Sequence, residues 1–262
     1  MSPPRLTINA LAVTLRNRVV LRDISLVPQQ GAVTAIIGPN ASGKTTLLRA
    51  CLGSVPPSAG NVLLDDKPVH QLPARLIAQH LAYVAQRAST TVGLSALEVI
   101  ELGRYARPFH TDRIDQAVAT MQIEPLLHRP LAELSVGQQQ RIMMARALAQ
   151  VEPSSYLLLD EPTAAMDLAW AQHTLAVVRN LANDGVTVLM VLHDVNDALA
   201  IADNALLLKE GHLIASGHTK DVITPGTLEQ VFDVSFTAIT HDNRNIILPA
   251  RHHSSSQRTT AI

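Results

Sequence analysis

The chain has 262 residues, 16% of them charged and 47% hydrophobic, with 21 Lys and Arg set against 22 Asp and Glu. That length and apolar content exclude a disordered chain and provide for a full-sized core, while a net charge of −1 supplies no basic field to recruit nucleic acid or anionic lipid. A single cysteine, Cys51, excludes an internal disulfide or a cysteine-rich metal site, and a reducing compartment is expected.

From Leu6 to Val27 apolar and polar residues roughly alternate, with a polar break at Arg16, Asn17 and Arg18. That pattern predicts two antiparallel strands joined by a turn. Ala32–Ile37 is a continuous apolar run, which predicts a strand buried on both faces. A glycine-containing loop follows, then a helix that Gly53 stops. Residues 60–69 read as a hairpin and 81–86 as a short strand. Residues 94–150 repeat their apolar positions at helical spacing, which predicts an inserted helical subdomain.

Three further strand-like blocks, 156–160, 187–193 and 204–211, alternate with helical stretches, so a parallel sheet covered on both faces is expected. The polar tail after Pro249 is expected to be disordered, and His252 and His253 within it to be no metal site. The opening residues carry no compact apolar block with a small-residue cleavage site. The longest apolar run, 186–192, is too short to cross a bilayer, so a cytoplasmic protein is expected.

Two segments carry chemistry. Gly38–Thr45, GPNASGKT, fits the phosphate loop GxxxxGK[ST] and lies between an apolar strand and a helix, the setting that pattern requires. Its backbone N–H groups and helix N-terminus suit phosphate oxygens, Lys44 suits the β/γ oxygens, and the Thr45 hydroxyl suits Mg²⁺. Tyr156–Thr163, YLLLDEPT, ends an apolar strand in two adjacent carboxylates, where the crevice of an α/β sheet opens. Asp160 is suited to hold Mg²⁺ through water, and Glu161 to orient and deprotonate a water attacking the γ-phosphate.

Leu134–Arg141, LSVGQQQR, resembles the signature of the ATP-binding cassette (ABC) transporter ATPases. The rest of that family's set follows the same order: the phosphate loop, Gln86 in YVAQ, the signature, LLLDEP, Met166-Asp167 and His193 in VLHD. The resemblance implies an α/β fold, a P-loop ATPase core with an antiparallel β subdomain and an inserted helical subdomain. It spans residues 4–245, with the core over about 4–93 and 151–245, the helical part over about 94–150, and 246–262 left as a flexible tail. It further implies catalytic roles for Glu161, His193 and Gln86, and metal roles for Thr45, Gln86 and Asp160.

The nucleotide would lie on Gly38, Pro39, Asn40, Ala41, Ser42, Gly43, Lys44, Thr45 and Thr46 of one chain. Ser135, Gly137, Gln138 and Asp167 of a second copy would close over it, giving a head-to-tail homodimer around ATP and Mg²⁺. Ser135 alone reads equally as an ordinary helix cap. Three departures from the family stand out: Leu15 where an aromatic usually stacks on adenine, Val136 in place of the first signature glycine, and Ala41 where many members carry glycine. The wording of 101–108 and 191–203 resembles importer subunits for ferric siderophores, haem and cobalamin. The implied partners are a membrane permease and a substrate-binding protein, with no nucleic acid, at the cytoplasmic face of the inner membrane. The expected function is therefore the ATPase of an importer for an iron chelate, with a cobalamin importer as the alternative and an exporter ATPase or a soluble non-transport ABC protein ranked below both.

Overall fold

The structure, a computed structural model, describes residues 4–87, 93–241 and 244–250. Strands β1 (Leu6–Leu15) and β2 (Arg18–Leu26) pair antiparallel through the two-residue turn Arg16-Asn17, both at positive φ (47° and 63°), the backbone twist that suits a tight hairpin. β3 (Val33–Ile37) leads through the phosphate loop into α1 (Lys44–Cys51). β4 (Ala59–Leu64) and β5 (Lys67–Pro68) join β1 and β2 in a four-stranded antiparallel sheet of order β2-β1-β4-β5.

A short helix, α2 (Ala74–His80), precedes β6 (Leu81–Val84). Then come α3 (Ala96–Glu101), α4 (Thr111–Met121) and α5 (Val136–Gln150), so the stretch expected to be helical is helical. β7 (Tyr156–Asp160), α6 (Leu168–Asn183), β8 (Thr187–Val191), α7 (Val195–Ile201), β9 (Asn204–Lys209) and β10 (His212–His218) complete a six-stranded sheet of order β10-β9-β3-β8-β7-β6. Every pairing from β9 to β6 is parallel and only β10 runs the other way. Two short helices, α8 (Thr219–Val222) and α9 (Pro225–Phe232), lead to a two-stranded hairpin of β11 (Phe236–His241) and β12 (Arg244–Pro249).

The central strands bury both faces, as continuous apolar runs require. Val33, Ala35, Leu157, Leu159, Val188 and Met190 pack into a core shared with α3–α6. Alternate residues of the same strands, Ile36, Leu158, Leu189 and Val191, face α1 and the antiparallel sheet. The sheet is therefore the floor of two cores, and its parallel strands end together on one edge.

Three expectations need correction. Residues 246–249 are no flexible tail: they form most of β12, where Ile247 is buried to 3% exposure beneath its pairing with Ala238. The strands are shorter than the predicted blocks 81–86, 187–193 and 204–211, ending at Val84, Val191 and Lys209, so Gln86 and His193 sit on loops beyond the sheet. α2, β10, α8, α9 and β11 have no counterpart in the predicted elements. His252 and His253 lie outside the described residues. Among those described, no helix is long and apolar enough to cross a membrane.

Candidate active site

Four loops leave the carboxyl ends of β3, β7, β8 and β6, and each carries one of the singled-out motifs. Because those strands run parallel, their ends share an edge, and residues far apart in sequence converge there. The phosphate loop is shaped by close backbone approaches. A Cβ on Gly38 would stand 2.1 Å from Leu208 O, and one on Gly43, at φ 106°, would stand 2.5 Å from Leu21 Cδ2, so both positions require glycine. Ala41 sits at φ 63°, a left-handed conformation that costs an L-residue about 1 kcal/mol. The loop is braced from outside by Gly211, whose N–H donates to Ser42 O at 3.1 Å and whose C=O accepts from Arg22 N–H at 2.8 Å.

Lys44 is buried, and its ammonium donates to Gly38 O (2.8 Å) and Pro39 O (2.9 Å). Burial pulls its pKa down, opposed by the negative charges of Glu161 and Asp160. One of its three N–H donors remains for a phosphate oxygen. Asn40 and Ala41 are exposed at the loop's crest, Pro39, Thr45 and Thr46 are half-buried, and the buried Ser42 hydroxyl has no hydrogen-bond partner among the described residues.

Asp160 is 1% exposed at the end of β7. Its two oxygens accept from the Thr45 hydroxyl (3.1 Å) and the Tyr83 hydroxyl (3.3 Å). Burial pushes its pKa up, and the Thr45 hydrogen bond works against that. A buried carboxylate that accepts from two neutral hydroxyls, one of them the loop threonine's, fits a hard divalent cation that takes oxygen ligands. Among the described residues no group of three or more His, Cys, Asp or Glu could hold a metal by itself.

The next residue, Glu161, has φ 51°, strain of the kind that collects at functional sites. Its side chain is only 10% exposed. One carboxylate oxygen accepts from Gln86 Nε2 at 2.5 Å, and the other pairs with His193 Nε2 at 2.6 Å. Gln86, Glu161 and His193 thus form one polar row beside Asp160, Thr45 and Lys44.

Ser135, Gly137, Gln138 and Asp167 form a separate cluster. Ser135 caps α5 in a reciprocal box with Gln138: its Oγ accepts from Gln138 N–H (3.3 Å) and its own N–H donates to Gln138 Oε1 (3.0 Å). Val136 projects 59% exposed, and a Cβ on Gly137 would press on Ala165 O at 2.9 Å. Asp167 caps α6 by accepting from Trp170 N–H at 2.9 Å. Arg141 fastens the signature helix by stacking on Trp170, 3.3 Å above the ring, while donating to Met121 O, a cation–π contact. No hydrogen bond among the described residues joins this cluster to the phosphate loop.

Two contributors escaped the sequence reading. Tyr83 holds Asp160, and the signal available was its place on the strand that ends just before Gln86. Arg146 of α5 donates to Tyr83 O at 2.8 Å, which ties the signature helix to that strand. Next to Tyr83 lies a groove of about 450 Å³ lined by Leu52, Ile77, Leu81, Leu102 and Tyr105, of which Leu102 and Tyr105 are 49% and 56% exposed.

Residues 21–164 match the family model for ABC transporters. A hemin import ATP-binding protein HmuV from Shewanella denitrificans is 35% identical over 241 residues, covering 88% of this chain and 95% of its own. A cobalamin import ATP-binding protein BtuD from Halobacterium salinarum is 35% identical over 87% of this chain and 58% of its own. A solved metal-chelate type ABC transporter in an inward-facing conformation superposes with a TM-score of 0.77 at 25% identity, over 95% of this chain and 98% of that one.

Proposed function

Since the chain belongs to the ABC transporter family of ATP-binding proteins, we propose that it is the ATP-hydrolysing subunit of an importer for an iron chelate, haem or a ferric siderophore. The observation that carries the catalytic reading is the Glu161 carboxylate, pinned between Gln86 and His193 beside the phosphate loop. Lys44 and the loop N–H groups bind the β- and γ-phosphates. Thr45, Asp160 and Gln86 would hold Mg²⁺, which would neutralise charge on the transferring phosphoryl group. Glu161 takes the proton of the attacking water, and His193 keeps that carboxylate aimed and contacts the γ-phosphate.

Ser135, Gly137 and Gln138, with Asp167 beside them, close the pocket from a second copy. The exposed helix start supports that arrangement. The division into a core over about 4–93 and 151–245 and a helical unit over about 94–150 goes with this reading, with β12 added to the core. The subunit sits at the cytoplasmic face of the inner membrane under a permease, with a substrate-binding protein delivering cargo. The apolar groove at Leu102 and Tyr105 receives a permease helix there, supported by its continuity through Tyr83 with Asp160.

The hemin relative favours haem as cargo, and the cobalamin relative supports the alternative. Vesicles carrying this subunit, the permease and the loaded binding protein are expected to take up hemin only with ATP inside. Uptake of cobalamin in place of hemin or a ferric siderophore selects the alternative, and ATP hydrolysis indifferent to the permease contradicts both.

The base of the nucleotide falls toward the β1–β2 hairpin, because Val20 O and Leu21 pack directly on Gly43. Leu15 is 40% exposed there and offers only an apolar surface. High discrimination between bases needs hydrogen bonds to their edges, and stacking tolerates any base. KM for GTP is therefore expected within about fivefold of that for ATP. A ratio above about tenfold, ~1.4 kcal/mol, contradicts it.

A further inference from the structure

The C-terminal hairpin pairs with no sheet but its own two strands, and an isolated hairpin is marginal in water. A polar side chain ties it to α7, while Phe236 packs on Phe232 of α9. Asn196 of α7 donates its Nδ2 to Ile247 O at 3.1 Å and accepts Ile247 N–H on its Oδ1 at 2.8 Å. The carboxamide thus satisfies both main-chain groups of an edge-strand residue, as a further strand would. Ile247 anchors the same spot from the other side, buried in the core that includes Val195 and Ala198.

α7 spans only Val195–Ile201, and Asp194 caps it by accepting Asn196 N–H at 2.7 Å. A helix of two turns has little stability of its own, so its outside ties decide its position. Besides the core packing, the side-chain ties among the described residues are this clamp, a long 3.5 Å bond from Gln172 to Asp197 and, at the far end, Arg179 donating to Ile201 O at 3.2 Å, so the clamp and the long bond act on the first turn. His193 immediately precedes the cap, half-exposed, and among the described residues Glu161 is the partner that holds its ring. Where the first turn of α7 stands sets where His193 points.

We infer that Asn196 is a positioning residue for ATP hydrolysis: by clamping β12 to the first turn of α7, it lets the C-terminal hairpin hold His193 against Glu161. This rests on the reading of His193 given above. Small displacements of a catalytic group cost rate heavily while leaving distant binding contacts intact.

The test is Asn196→Ala in the full chain, with Ser235→Ala as control. Ser235 bonds Glu229 at the hairpin's base, away from α7. Asn196→Ala is expected to lower kcat about tenfold with KM for ATP within twofold, and to speed deuterium exchange over residues 193–198 without speeding it in β3 or β8. Ser235→Ala is expected to keep kcat. Wild-type kcat in Asn196→Ala overturns the inference. So does a loss of ATP affinity equal to the loss in kcat, or exchange that quickens evenly through the core, since either marks a residue of the fold alone. His193→Ala measured alongside separates the premises: wild-type turnover there removes the histidine's role and the inference with it, whereas a slow His193→Ala beside a fast Asn196→Ala removes the inference only.

Discussion

Glu161→Gln is expected to lower kcat roughly 10³-fold, within the 10²–10⁴ range that a positioned general base contributes, while ATP binding stays intact. The substitution keeps size and shape. It also keeps hydrogen-bonding capacity toward Gln86 and His193, since an amide both donates and accepts. What it removes is the ability to take a proton at the carboxylate that those two groups hold at 2.5 and 2.6 Å. With hydrolysis stalled and the phosphate loop unchanged, the variant should accumulate an ATP-bound dimer, visible as a nucleotide-dependent shift in size-exclusion elution. Turnover at the wild-type rate would remove Glu161 from the catalytic assignment.

Lys44→Ala acts on the other half of the reaction. Its ammonium is already fixed by two loop carbonyls, so it meets the phosphates without first being ordered. Losing charged hydrogen bonds worth about 3 kcal/mol in total should raise Kd for ATP about a hundredfold. Thermal shift reads this directly. At an ATP concentration a hundred times the wild-type Kd, the ligand adds about 2.7 kcal/mol to the wild type but only about 0.4 kcal/mol to the variant. At 2–4 °C per kcal/mol, that is a rise of about 5–10 °C against about 1–2 °C. An unchanged ATP shift would remove Lys44 from the phosphate site. The variant without ATP should melt close to the wild type, because relief of the buried charge offsets the lost carbonyl contacts.

The strands and site residues that were legible in the sequence share a cause. Ala32–Ile37, Tyr156–Asp160 and Thr187–Val191 are mostly apolar because both their faces are covered, and each gives way within two residues to a glycine or a polar group at the sheet's edge. The acid pair, His193 and Gln86 are therefore marked by the same break in hydropathy that places them on one edge.

The remainder lacked such a mark. α2 buries none of its residues, so it has no apolar stripe to betray it. β11 is exposed or half-exposed along its whole length, and the polar sequence just before β12 reads as the start of a tail. Tyr83 and Asn196 act through partners 77 and 51 positions away, separations that neither periodicity nor local motif encodes. The positive φ of Glu161 is likewise silent, because glutamate gives no hint of a left-handed backbone.

Arg141 over Trp170 also has an optical consequence. Trp170 is the chain's single tryptophan, and a guanidinium charge poised above an indole alters its excited state through the local electric field. The emission colour of the native protein is consequently tied to how the start of α5 sits on α6, and a label-free spectrometer can follow that separation in real time.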